Sequence, residues 1–124
     1  MNVIRQDNTF GFDVDETLIM HCDPNLIPTK RPKDAIEFNF YGQKKWAVPH
    51  YGHIELLIAS VARGRHTVVW TGNGFAWAEE VLTKLGLDHL SVTVMSKPIG
   101  VVDDMPVETW IGSRFYIPNK EKLE

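Results

Sequence analysis

The sequence predicts an α/β fold, with a mainly parallel central sheet, helices on its faces and a small β-hairpin flap inserted after the first strand. Three observations carry that prediction. Short β-rich runs alternate with amphipathic helical stretches, the order expected of strand–helix–strand units. Asp13 and Asp15 close an apolar run, and a buried strand has no reason to end in two carboxylates unless something pairs with them. Three later β-rich runs also end on polar or charged residues, and in open α/β sheets those carboxyl ends form the binding crevice.

Composition sets the outer limits. With 124 residues, 44% of them hydrophobic, the chain is expected to form one domain over residues 1–124 with its own core. The net charge is −3 without a long run of one sign, so the global balance does not point to a nucleic-acid binder. Cys22 is the one cysteine, which excludes an intrachain disulfide, and no neighbour in sequence would activate its thiol. No apolar run reaches the ~20 residues needed to cross a bilayer. Residues 1–8 are polar and lack the apolar stretch of a signal peptide. The expectation is a cytoplasmic protein with no membrane partner.

The elements follow in order. Residues 10–14, Phe-Gly-Phe-Asp-Val, read as a short buried strand. Asp23-Pro24, Ile27-Pro28 and Arg31-Pro32 exclude a long helix over 20–34 and favour an extended loop. Residues 36–40 alternate apolar and polar, 41–44 have turn character, and 45–48 resume the extended pattern. This hairpin belongs to an insert spanning about 20–49. The spacing of Ile54, Leu57, Ile58 and Val61 predicts a helix over 51–62, with Gly64 just past its end. Residues 66–71 form a β-rich run suited to a central strand. A second helix is predicted over 76–85, with Ala78, Val81, Leu82 and Leu85 on one face and Gly86 as its stop. Further strands are expected at 91–95, 99–102 and 113–117, before a polar tail at 118–124.

Four strand ends then deliver polar groups to one place: Asp13 and Asp15, Thr71 and Asn73, Ser96 and Lys97, Asp103 and Asp104. Two close carboxylates repel and need a cation or a shared proton. A hard divalent ion with oxygen ligands answers that need, and magnesium suits a site that also holds a phosphate. Lys97 supplies a point charge for a phosphate. Thr71 offers a hydroxyl, and Gly72-Asn73-Gly74 lets the backbone approach a ligand closely. These are the parts of phosphoryl transfer, in which one carboxylate attacks phosphorus, another carboxyl protonates the leaving oxygen, and cations offset the charge.

The same residues resemble the haloacid dehalogenase (HAD) superfamily. Asp13-Val14-Asp15-Glu16-Thr17 is similar to its Asp-x-Asp-x-Thr first motif. Thr71, closing Val-Val-Trp-Thr, resembles the second motif, Lys97 in Ser96-Lys97-Pro98 the third, and Val101-Val102-Asp103-Asp104 the acidic fourth. The resemblance covers roughly residues 8 to 106 and implies a Rossmann-like three-layer sandwich. It implies a magnesium-dependent phosphatase in which Asp13 becomes an aspartyl-phosphate and Asp15 acts as general acid and then base. It also implies that Thr71 and Lys97, with Gly72 and Asn73, hold the phosphoryl group. The Asp13 side chain and the Asp15 carbonyl would bind magnesium, with Asp104 or Asp103 as the acidic-motif ligand. One departure is evident: the chain between Asp15 and His66 is short, so the enzyme is expected to be nearly capless, with an open site beneath the hairpin flap.

Two rival readings share these residues. One is a phospho-acceptor signalling module like a response-regulator receiver, although a receiver phosphorylates an aspartate after its third strand. The other is a catalytically idle phosphate-binding protein of the same fold. The expected substrate is a phosphorylated small molecule, a nucleotide or the end of a phosphopolymer, and a homodimer would cover the open site. Trp46 on the hairpin and His50 before the first helix are further candidates for substrate contact. Arg31, Lys33, Lys44 and Lys45 form a basic rim on the insert.

Overall fold

In the computed structural model, which describes residues 8–109 and 111–119, the chain is built on two small sheets. The parallel sheet has the order β1-β5-β6, from β1 (Thr9–Asp13), β5 (His66–Thr71) and β6 (Thr93–Ser96). The antiparallel sheet has the order β2-β4-β3, from β2 (Ile19–His21), β3 (Ile36–Phe40) and β4 (Gln43–Pro49). Helix α1 (Tyr51–Ala62) runs from β4 to β5, and α2 (Phe75–Lys84) from β5 to β6. In the parallel register Asp13 lies opposite Trp70 and Thr71 opposite Ser96, so the polar strand ends finish along one edge.

Helix α2 joins the two sheets, touching β3 as well as β5 and β6. Its Trp77, Ala78, Val81 and Leu82 share one core cluster with Phe12, Val14, Leu18 and Val69 near the parallel sheet and Phe38 and Ala47 of the other. Phe38 and Phe40 meet the Trp77 ring edge-on at 5.9 and 4.9 Å. Burying each side chain of this size stabilises the fold by about 1.5–3 kcal/mol. The hairpin is tighter than its sequence suggests. Tyr41 (φ 49°) and Gly42 (φ 90°) both take positive φ, and pairing resumes at once with Phe40 opposite Gln43. That is the two-residue turn whose twist matches the strands it joins.

Helix α1 departs from its predicted face. His53, Leu57 and Ser60 are buried, while Ile58 is 43% exposed. Hydrogen bonds set this rotation. The Ser60 and Thr67 hydroxyls pair at 2.7 Å between α1 and β5, and His53 Nδ1 donates to the Thr17 carbonyl at 2.7 Å. His50 caps the helix, its Nδ1 accepting from the His53 backbone N–H at 3.1 Å. The two imidazoles stack with centroids 3.7 Å apart and planes 5° from parallel. His50 Nε2 donates to the Ile117 carbonyl (2.6 Å), and the Ile117 N–H donates to His53 Nε2 (2.9 Å). Each ring therefore donates through one nitrogen and accepts through the other, which makes both neutral and fixes opposite tautomers. His50 is fully buried in this structural role and is not a substrate contact.

Two predicted strands do not form. Residues 99–102 are irregular, with Ile99 and Val102 fully exposed. Pro98, two residues past the end of β6, has no N–H to offer a ladder, and Gly100 weakens any strand around it. Residues 113–117 are likewise irregular, because the backbone of Ile117 is engaged by two histidine side chains in place of a strand partner. Conversely, β2 forms where a loop was expected, and it widens the hairpin into a three-stranded sheet. Among the described residues no helix is long and apolar enough to cross a membrane. Trp110, the tail beyond residue 119 and residues 1–7 lie outside the described residues.

The histidine stack makes stability depend on pH with a definite sign. Burial, reinforced by the neighbouring His50, lowers His53 below its ordinary 6.5, against the opposing bond to the Thr17 carbonyl. A depressed histidine pKa stabilises the fold above the unfolded value and loses that contribution as pH falls below 6.5. The thermal midpoint is expected to drop as pH falls from about 6.5 to about 5, above the ordinary carboxylate values of about 4. His53→Ala should lower stability by about 1–3 kcal/mol for each buried partner left unpaired and flatten that pH dependence. Calorimetry of both proteins across the window checks it.

Candidate active site

Asp13 ends β1, and the chain turns sharply after it. The Val14 carbonyl accepts the N–H groups of Thr17, Leu18 and Ile19 at 3.2, 2.9 and 3.2 Å, with Glu16 in the left-handed region (φ 58°). This turn brings Thr17 back over Asp13. Thr17 Oγ1 donates to Asp13 Oδ2 at 3.1 Å, and Lys97 Nζ approaches Asp13 Oδ1 at 3.0 Å. The Lys97 backbone N–H is anchored on the Thr71 carbonyl at 2.9 Å, so β5 fixes the point from which the lysine reaches across. About a third of the Asp13 side chain remains exposed, on a cleft of ≈ 560 Å³ whose lining includes Lys97, Thr17 and residues 113–116.

The Asp15 carboxylate is held from four directions. Oδ1 accepts from His21 Nε2 (2.8 Å) and Trp77 Nε1 (3.0 Å), and Oδ2 accepts from Asn73 Nδ2 (2.9 Å) and Thr71 Oγ1 (3.0 Å). Burial pushes this carboxyl up, but the bonds from His21, Trp77, Asn73 and Thr71 outweigh it and bring the pKa down to about 2. At neutral pH Asp15 is therefore a carboxylate with its lone pairs engaged. Thr71, 1% exposed, has its hydroxyl fully used, since it also accepts the Asn73 backbone N–H at 3.1 Å.

The β5–α2 loop carries the remaining predicted phosphate contacts. Helix α2 begins at Phe75, whose N–H donates to Ser96 Oγ at 2.9 Å, so β6 caps the helix and ties two strand ends together. Gly72 stands open, with nothing within 4 Å of where a Cβ would lie. Gly74 is the constrained glycine: it has φ +93°, and a Cβ there would lie 2.6 Å from the Tyr41 hydroxyl, which donates to the Asn73 carbonyl at 2.6 Å.

Asp13, Asp15, Thr71, Asn73 and Lys97 are thus brought together as the sequence predicts. The acidic pair is placed differently. Asp103 and Asp104 are exposed, and Asp103 Oδ1 accepts the Met105 N–H at 2.9 Å in a local turn. Among the described residues no three of His, Cys, Asp or Glu converge as a metal-holding group. The donor set at the crevice is hard oxygen from Asp13, and it fits a magnesium ion that arrives with a phosphate and keeps its waters. Trp46 lies on the antiparallel sheet beneath the Arg31 guanidinium, 4.5 Å from its ring, so that part of the basic rim packs on its own hairpin. Burial and the charges of Asp34 and Glu16 push the Cys22 thiol up, the opposite of an activated nucleophile.

Sequence reasoning missed His21 and Trp77. A tryptophan predicted at a helix start beside a carboxylate-bearing loop was a usable signal, because a buried indole N–H requires an acceptor. No pattern marks His21, whose β2 strand is three residues long. Scanned against models of known families, and compared with characterised proteins and with solved structures, the chain matches none of them.

Replacing Gly74 with alanine tests the loop. The substitution forces a side chain into positive φ and against the Tyr41 hydroxyl. Stability should fall by about 1–3 kcal/mol, and Tyr41→Phe, which loses the hydroxyl, should relieve part of the loss in the double variant. Denaturant unfolding of the three variants measures it.

Proposed function

We propose that this chain is a phosphomonoesterase of the haloacid dehalogenase type, working through an aspartyl-phosphate on Asp13. The single observation that carries the reading is Asp13 at a parallel strand end, exposed to a cleft, with Lys97 on one carboxylate oxygen and Thr17 on the other. The α/β framework with strand order β1-β5-β6 supports a Rossmann-like three-layer arrangement for the same family. An Asp13 oxygen forms a bond to phosphorus as the bond from phosphorus to the leaving oxygen breaks, and that oxygen takes its proton from solvent water in the open cleft, because Asp15 is already ionised. Water then attacks phosphorus, releasing phosphate and restoring Asp13. Lys97, freed from Asp13 as phosphate enters, offsets charge on the phosphoryl oxygens. Asp15 begins as the carboxylate, the form that accepts a proton from the attacking water once its donors loosen; Thr71 and Asn73, released from it, become donors for phosphate. Bound magnesium would supply further positive charge at the phosphoryl oxygens, held by the Asp13 side chain with the Asp15 carbonyl; Asp103 and Asp104, in their exposed turn, take no part.

The four-donor clamp on Asp15 favours one other reading, a module that accepts a phosphate on Asp13 and keeps it. Turnover separates the two. A phosphatase releases many equivalents of phosphate from an aryl or acyl phosphate, whereas an acceptor stops at one and stays labelled. Asp13→Asn should lower phosphate release at least a thousandfold and change stability by less than about 1 kcal/mol, since the pair it breaks is partly exposed. Full activity in that variant would refute the assignment. Chelation of divalent ions should abolish activity and added magnesium restore it; activity that persists in chelator removes magnesium from the proposal.

A further inference from the structure

The cleft beside Asp13 has one wall that the phosphate chemistry does not use. Residues 113–116 line the cleft, held by the histidine stack at Ile117 and by the Tyr116 hydroxyl, which donates to the Glu16 carbonyl at 2.9 Å. The Phe115 ring stacks on Phe10, with centroids 5.7 Å apart and planes 30° from parallel, yet Phe115 is 63% exposed. The Arg114 guanidinium lies over the Tyr116 ring, 5.2 Å from its centroid. Trp70 of β5 lines the same cleft. An aromatic face left open to water on the lip of a cleft, with cations at Lys97 and Arg114, is the combination that receives a flat ring attached to an anion. The cleft of ≈ 560 Å³ falls in the range of small-molecule sites and has room for such a ligand.

We infer that Phe115 and Arg114 form the leaving-group subsite, and that the substrate is a phosphomonoester whose leaving alcohol carries an aromatic base, of the nucleoside monophosphate class. The ring extends the Phe10–Phe115 stack, Arg114 faces the substrate's polar edge, and Lys97 takes the phosphate. This inference rests on the phosphatase reading for the fate of the phosphate, but not for the binding of the ring.

Equilibrium binding to the Asp13→Asn protein tests the subsite without turnover. Adenosine 5′-monophosphate and ribose 5-phosphate, which differ by the base, are titrated calorimetrically. The nucleotide is expected to bind about tenfold more tightly, the gain usual for one stacked base. Phe115→Ala should reduce the ratio to about twofold or less, while Phe115→Tyr, which retains a ring, should preserve it. Equal affinities for the two probes, no binding of the nucleotide, or a ratio indifferent to Phe115→Ala would each overturn the subsite. Phosphate release by the unsubstituted protein is read in parallel. A tenfold ratio without release keeps the subsite and removes the phosphatase reading; release with a ratio of unity does the reverse.

Discussion

The Asp15 carboxylate is the tie on which the rest of the arrangement depends. Its four donors come from four different places in the fold: His21 from β2, Thr71 from the end of β5, Asn73 from the loop beyond it, and Trp77 from the first turn of α2. Hydrogen bonds to a charged acceptor contribute roughly 1.5–3 kcal/mol each, more than neutral ones. Through one side chain the antiparallel sheet, the parallel sheet and the helix between them are held in register. The same bonds keep the carboxylate charged although burial opposes it, so structural cohesion and the chemical state of the site have a common cause.

That arrangement separates the two acidic residues of the first motif by environment. Asp13 faces a cleft with one cation and one hydroxyl on it, and Asp15 faces inward among neutral donors and an imidazole. Two carboxylates two positions apart would otherwise share one field and repel. The turn at Val14, which gives its carbonyl to three successive N–H groups, sends them different ways. The geometry thus gives the two carboxylates distinct surroundings, one open to the cleft and one enclosed by donors.

Much of this was legible in the sequence. Asp13, Asp15, Thr71 and Lys97 were found because strand ends in an α/β sheet share one edge, and a polar residue at the end of a β-rich run is conspicuous. The elements at 51–62 and 66–71 were readable from apolar period and glycine placement. Reading failed where hydrogen bonding outranked hydropathy. The buried stripe of α1 includes His53 and Ser60, polar residues that an apolar period passes over, and leaves Ile58 outside. Residues 99–102 and 113–117 have strand-like composition, but the first follows a proline and the second gives its backbone to side chains. The acidic pair was assigned by its place after a strand, and without that strand Asp103 and Asp104 occupy an exposed turn.

The bond from the Tyr116 hydroxyl to the Glu16 carbonyl spans 100 residues of sequence, and the one between His50 and Ile117 spans 67. Closing such long loops carries an entropic cost that local turns and helices do not. A ribosome releases residues 9–21 well before residue 117, so the wall of the Asp13 cleft docks only after the strands and helices between them have been made. Assembly therefore has an order written into the chain: residues 9–13 wait for their β5 partner, and the cleft beside Asp13 gains its wall only after residue 117 has followed.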